Sequence, residues 1–395
     1  MTDSRTTRNG LLICGILLIA ANLRMPITSL SPLLPFIKLD FPISSALAGF
    51  LTTLPLLAFA LVSPFVSGLS RRFGMRRILF LALLILTIGS FIRPFGGLVL
   101  LLVGTLLIGF AIAAGNVLVP SLIKQEFPFK LGLMTGLYSI VMNLSAAISS
   151  GLSVPLAEKL PLGWQGSLLT FACFTLIALL AWLPQLRKKQ ELPLYQKSSD
   201  KPQVNVWRSP LAWMITVLMG MQSLIFYVAV AWLPEIMQSH GLLPAESGLM
   251  LTILQIGIMP TTFIAPIIAA RMKDQRILVV IAAIFLTLGT TGLLLVNEQF
   301  WLDAGIVLIL GIGSGLSFSL AMMFFNLRTR SAETAADLSG MAQSIGYLVA
   351  AIGPTLFGTL HDLSGHWNGA IVLFYVAILL ILFSGLIAGR NRVMD

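Results

Sequence analysis

A single cation, Arg24, interrupts an otherwise uncharged run over residues 11–36. Read as one membrane-spanning helix, the run places Arg24 roughly 20 Å in from Leu11 at about 1.5 Å per residue, near mid-bilayer. A charge at that depth costs roughly 3 kcal/mol on insertion scales and persists where it meets a wet cavity or a partner. The planar guanidinium fork suits an anion or a nitro or carboxyl-like group. The alternative is an arginine that snorkels or bonds the backbone carbonyls of neighbouring helices. On a continuous helix Thr28 and Ser31 share its stripe at i+4 and i+7, while Asn22 points about 200° away.

Further polar side chains stand alone in apolar surroundings. Asn116 follows Gly115; Tyr138 and Asn143 share one apolar stretch; Gln222 and Tyr227 share another. Gln255 follows, then Gln343 and Tyr347, four apart and on one helical face, as are Gln222 and Phe226. Amides and phenols among apolar residues orient small ligands. Each is equally suited to bonding between helices, worth about 0.6–2 kcal/mol. The triplet Gly311, Gly313 and Gly315 matches part of a phosphate loop, but in a membrane helix such spacing serves close packing.

What is missing narrows the chemistry. All fifteen acidic residues fall in loops or at the ends of apolar stretches, with Glu246 and Asp337 nearest a core. His240, His361 and His366 fall in or beside the outer loops. With no carboxylate at mid-bilayer, proton coupling would use an end-placed acid, the substrate or a tyrosine. No nucleotide loop, metal cluster or nucleophile constellation is present, so neither an enzyme nor a cofactor is expected. Cys14 and Cys173 lie in apolar stretches without metal-ligand spacing and read as small packing residues.

The elements that must position these groups are plain. The 395 residues are 57% hydrophobic and 10% charged, against about 25% charged in a soluble domain. Twelve apolar spans follow, at 11–36, 44–70, 77–95, 98–121, 131–156, 164–186, 208–234, 245–270, 277–296, 301–325, 337–360 and 368–389. No cleavable signal is expected, because the first span is too long for a signal core. With both termini in the cytoplasm, the inner segments carry 21 of the 25 Lys and Arg residues and the outer ones only Lys38, Arg93 and Lys159. That split explains the net charge of +10 without nucleic acid. The polar segment 187–207 reads as a cytoplasmic linker between bundles 1–186 and 208–395.

The halves repeat. At a shift of 199, Pro35 falls on Pro234, Gly49 on Gly248, Thr53 on Thr252, and Arg72 and Arg77 on Arg271 and Arg276. At a shift of 204, Gly136 falls on Gly340, and 146–148 on 350–352. The expected fold is an all-α membrane protein of two six-helix bundles, related by a pseudo-two-fold axis along the membrane normal. Such repeats build a rocking transporter with its site between the halves.

The twelve spans, the linker and the segment 70–77, SRRFGMRR, resemble the major facilitator superfamily. Its hallmark loop, G-x-L-A-D-R-x-G-R-R, is matched at Leu69, Arg72, Gly74 and Arg77, with Arg71 where an acid is expected. The resemblance implies a gating loop made of Arg71, Arg72, Gly74, Arg76 and Arg77. The stretches 51–64, 115–128, 163–169, 207–213 and 338–362 resemble the cyanate permease and 2-nitroimidazole transporter subgroup, nearer to its nitroimidazole branch. That implies rocker-switch transport of a small planar or anionic nitrogen-containing solute in a bacterial inner membrane, drug efflux being one form of it. The expected partners are that solute and the bilayer, with the chain acting as a monomer. A proton-coupled multidrug exporter is the alternative, and a non-transporting receptor or scaffold a more distant one.

Overall fold

The computed structural model describes residues 2–41, 45–186, 205–239, 241–242, 244–295, 299–364 and 366–394. The linker basics Arg187, Lys188, Lys189, Lys197 and Lys201, together with His240, lie outside them. Fourteen α-helices and no strand occur among the described residues. They are α1 (Thr2–Asn22), α2 (Met25–Thr28), α3 (Leu34–Asp40), α4 (Ser45–Phe73), α5 (Met75–Ile92), α6 (Gly97–Glu126) and α7 (Leu131–Lys159). After these come α8 (Gly163–Leu186), α9 (Pro210–Ser239), α10 (Pro244–Arg271), α11 (Arg276–Leu294), α12 (Phe300–Leu327), α13 (Ala332–Ser364) and α14 (Trp367–Ala388). Twelve spans among the described residues are long and apolar enough to cross a membrane. Large apolar side chains remain on the outside, such as Leu379 at 65% and Phe383 at 61% exposure, which suits a lipid-facing surface.

Contacts divide the chain into two compact units. One comprises Met1–Leu122 and Val141–Val204, the other Ile123–Ile140 and Asn205–Asp395.

In the first unit the opening span is not one helix, contrary to the expectation of a single run over 11–36. It stops at Asn22, makes the short α2, passes through a 3-10 turn at Ser31–Leu33 and resumes as α3. Pro26 supplies the cause. It has no N–H for the Asn22 carbonyl, and its ring collides with that carbonyl in a regular helix. Thr28 keeps its helical relation to Arg24, whose carbonyl accepts the Thr28 N–H at 3.0 Å, but no continuous helix carries the stripe on to residue 31. Proline alone does not suffice, because Pro55 and Pro64 sit inside an unbroken α4. Around 18–22 the carbonyls at the end of α1 find side-chain donors: Asn22 bonds the Leu18 carbonyl at 2.9 Å, and Ser145 of α7 bonds that of Ala21 at 2.9 Å. Past the break, Leu30, Leu33 and Ile37 join a buried cluster with Trp164 and Leu168. Trp164 also donates to Asp40 at 2.6 Å, which anchors the far end of α3.

In the second unit the glycine triplet packs helices, as its spacing implies. A Cβ on Gly313 would come within 2.7 Å of the Leu286 backbone on α11, and one on Gly311 would meet the Leu254 carbonyl of α10. α12 is thus wedged against both neighbours at backbone contact distance. Cys14 and Cys173 are both exposed; they face outward and do not pack.

Candidate functional site

In the first unit the candidate residues centre on the break. Arg24 is the residue before α2 and is half-buried. Its carbonyl accepts the N–H groups of Ile27 and Thr28, both at 3.0 Å, and the Thr28 hydroxyl, also at 3.0 Å. Thr28 and Ser149 of α7 share a hydrogen bond at 2.7 Å. Asn22 also donates to the Phe174 carbonyl of α8 at 3.3 Å. Arg93, the residue after α5, donates to the Pro26 carbonyl at 2.8 Å. Three helices thus hold the bent segment by side-chain and backbone groups, and the half-buried Arg24 sits at its corner. Asn116, 8% exposed, and Asn143, 3% exposed, belong to the same unit. Gly115, beside Asn116, has no room for a Cβ because the Leu23 side chain fills that space.

Arg93 was expected among the outer-loop cations. It is only 3% exposed, and its Nε is buried without a hydrogen-bond partner. In the sequence it falls at the outer end of the span 77–95, and the structure ends α5 at Ile92, just before it. Only the tertiary structure shows what covers it.

In the second unit the candidates on α9 and α13 gather where those two helices cross, while Tyr138 lies on α7 and Gln255 on α10. A Cβ on Gly346 would come within 3.3 Å of the Gly220 Cα, so the two backbones nearly touch. Tyr227 and Tyr347 meet edge-to-face there at 6.4 Å, and Phe226 flanks Tyr227 at 5.2 Å. Gln222 spends its amide N–H on the Met219 carbonyl at 3.0 Å and the Ser223 hydroxyl at 2.7 Å. Gln343 spends its own on Ser339 at 2.8 Å. These donors are engaged within their own helices, which is how a polar group is kept in an apolar interior at low cost. Tyr138 is fully buried. Gln255 is half-buried, and its Oε1 has no hydrogen-bond partner.

Comparison with known proteins decides the family. The model of the Major Facilitator Superfamily matches residues 12–354. The chain belongs to the Major Facilitator Superfamily. An uncharacterised transporter of Bacillus subtilis, YycB, is 44% identical over 96% of this chain and 94% of its own length. The 2-nitroimidazole transporter of Escherichia coli is 43% identical over 96% of each chain. The cyanate transport protein CynX of Escherichia coli is 27% identical over 89% of this chain and 90% of its own. A proton:xylose symporter structure superposes with a TM-score of 0.78 at 13% identity, covering 97% of each chain; that likeness concerns the fold alone.

As a superfamily member the chain is a multi-pass membrane transporter and not an enzyme. Its hallmark loop joins α4 to α5 through Gly74, whose φ of 90° is open to glycine at little cost. Arg71, Arg72 and Arg77 are exposed, whereas Arg76 is only 4% exposed and its carbonyl accepts the Trp182 indole N–H at 3.0 Å.

Three polar residues escaped the sequence reading. Asp303, in the first turn of α12, is buried, and neither carboxyl oxygen has a hydrogen-bond partner among the described residues. Like Glu246 and Asp337 it stands near a helix start, but it is the more buried. Lys124 caps the end of α12, donating to the Asn326 carbonyl at 2.7 Å, the Thr329 carbonyl at 2.5 Å and the Thr329 hydroxyl at 2.7 Å. A cation belongs at such a helix end. Arg328 is 2% exposed, bonds the Ala388 carbonyl at 2.6 Å and the Gly389 carbonyl at 3.0 Å, and also meets Gln275. Burial lowers its pKa to about 10, against the pull of Asp274.

Proposed function

We propose that this transporter moves a small planar or anionic nitrogen-containing solute, of the 2-nitroimidazole or cyanate kind, by alternating access. The reading rests above all on Arg24: a guanidinium at a bend braced by α5, α7 and α8, on a broken span of the kind that forms transporter sites. Two full-length relatives that carry those solutes in their names support the choice of substrate. The amides and tyrosines at Asn116, Tyr138, Asn143, Gln222, Tyr227, Gln255, Gln343 and Tyr347 would complete recognition, with Thr28 orienting the bend. The two six-helix segments, 1–186 and 208–395, would rock about the site, the chain working as a monomer. Labelled 2-nitroimidazole flux into proteoliposomes tests the reading. Saturable flux is expected, and none above empty liposomes would sink it.

Both termini are assigned to the cytoplasm of a bacterial inner membrane, on the basic-residue split. Single cysteines at Lys159 and Arg276 should then react with an impermeant thiol reagent from opposite faces, position 159 from outside intact cells. Labelling of position 276 from outside would reverse the orientation.

The loop at 71–77 is assigned to gating. It lies at the end of α4, far along the helices from Arg24. Arg71→Asp supplies the superfamily's usual acid and is expected to change the transport rate while leaving Kd within about tenfold, or roughly 1.4 kcal/mol. A larger shift in Kd would place the loop in the binding path.

One observation favours a second reading, proton-coupled export. Asp303 is a buried acid without partners among the described residues, a group that commonly relays protons in pumps. Flux that collapses when a pH gradient is dissipated, and no longer responds to it in Asp303→Asn, would establish that version.

A further inference from the structure

The Pro26 carbonyl is among those that the break after Asn22 leaves without a donor from their own helix. In a regular helix the Leu30 N–H would bond the Pro26 carbonyl, but it turns instead to Ile27 at 3.2 Å. Within the helix segment only the Ser29 hydroxyl approaches the Pro26 oxygen, at 3.4 Å. An unsatisfied carbonyl in an apolar interior is costly. Arg93 meets it from another helix, with Nη1 at 2.8 Å.

The approach is built into the packing. A Cβ on Gly104 of α6 would fall 2.8 Å from the Arg93 Cβ and 2.9 Å from its Cα, and a Cβ on Gly89 would fall 2.9 Å from the Gly104 carbonyl. Two glycines therefore bring α5 and α6 to backbone contact at the level of Arg93. The stem of Arg93 is thereby fixed, and its guanidinium reaches Pro26, two residues beyond Arg24. No carboxylate is recorded beside Arg93 among the described residues. The side chain spends a charged donor on a neutral carbonyl, where a smaller neutral donor would satisfy the bond.

We infer that Arg93 is the positioning residue for Arg24: its bond to the Pro26 carbonyl holds the bend at the angle that presents the Arg24 guanidinium to the solute. The inference rests on the reading of Arg24 as the solute's contact. Arg93 acts through the backbone and does not itself touch the solute.

Kd for labelled 2-nitroimidazole and melting temperature are measured on the same purified full-length preparations of wild type, Arg93→Met, Arg93→Lys and Arg24→Ala. Methionine keeps the bulk of the stem and removes the donor; lysine keeps the charge, but its single ammonium stops short of the Nη1 position. Arg93→Met is expected to fold and to raise Kd at least about tenfold, with Arg93→Lys intermediate. Packing alone would lower the melting temperature and leave the Kd of the folded fraction unchanged. A wild-type Kd in folded Arg93→Met overturns the inference; should that variant not fold, a wild-type Kd in Arg93→Lys does so. Loss of binding in Arg24→Ala alongside normal binding in the Arg93 variants removes only the role of Arg93. Normal binding in Arg24→Ala removes the site reading, and the role of Arg93 falls with it.

Discussion

Arg24→Ala is expected to abolish saturable solute binding in a protein that still inserts and folds. Truncating one side of a buried charge-assisted contact costs about 2–5 kcal/mol, at least a tens-fold loss of affinity. Removing a charge from a span makes insertion easier. The backbone at the bend should survive, because Thr28, Ser145, Ser149 and Arg93 hold it without the Arg24 side chain. Arg24→Lys keeps the charge but loses the fork. It should be impaired more for a planar solute with two acceptors than for a linear one such as cyanate. A structural Arg24 would behave differently: both variants would lose melting temperature, and any folded fraction would bind normally.

Pro26→Ala should separate stability from transport. Alanine restores the N–H that the Asn22 carbonyl lacks and removes the ring that clashes with it. Proline in a helix interior costs about 3 kcal/mol relative to alanine; the chain avoids that cost by placing Pro26 in the first turn of α2, where proline is tolerated, so the variant is expected to fold with little change in melting temperature. The helix would run on through 23–28, the Leu30 N–H would return to the carbonyl of residue 26, and Arg93 would lose its place there. With the Arg24 fork rotated from its present direction, flux should fall at least about tenfold, the loss expected from misplacing one good polar contact. A folded variant with wild-type flux would make the bend incidental.

Much of the architecture was legible because bilayer thickness and backbone satisfaction leave few choices. The twelve spans follow from hydropathy, and Gly311, Gly313 and Gly315 pack α12 as small residues at that spacing should. The bend was not legible. Pro26 looks no different from Pro55 or Pro64, and whether a proline bends or breaks a helix depends on which neighbours satisfy the freed carbonyls. Here Ser145 and Arg93 come from helices distant in sequence. The same holds for Arg93, Asp303 and Lys124. Each stands at the end of a span, where sequence alone reads solvent, and each is covered or engaged by another helix. By contrast α9, which the repeat pairs with the first span, has Ile225 at the position matching Pro26 and runs unbroken from Pro210 to Ser239. The halves thus differ at the one position on which the proposed site depends.

The central claim, that Arg24 at the bend binds a transported solute, meets its most direct test in proteoliposome flux. Labelled 2-nitroimidazole uptake is compared for wild type and Arg24→Ala, reconstituted at equal density and shown to melt at similar temperatures. Saturable uptake by wild type and none above empty liposomes for Arg24→Ala is the predicted result. Equal saturable uptake by both proteins would contradict it.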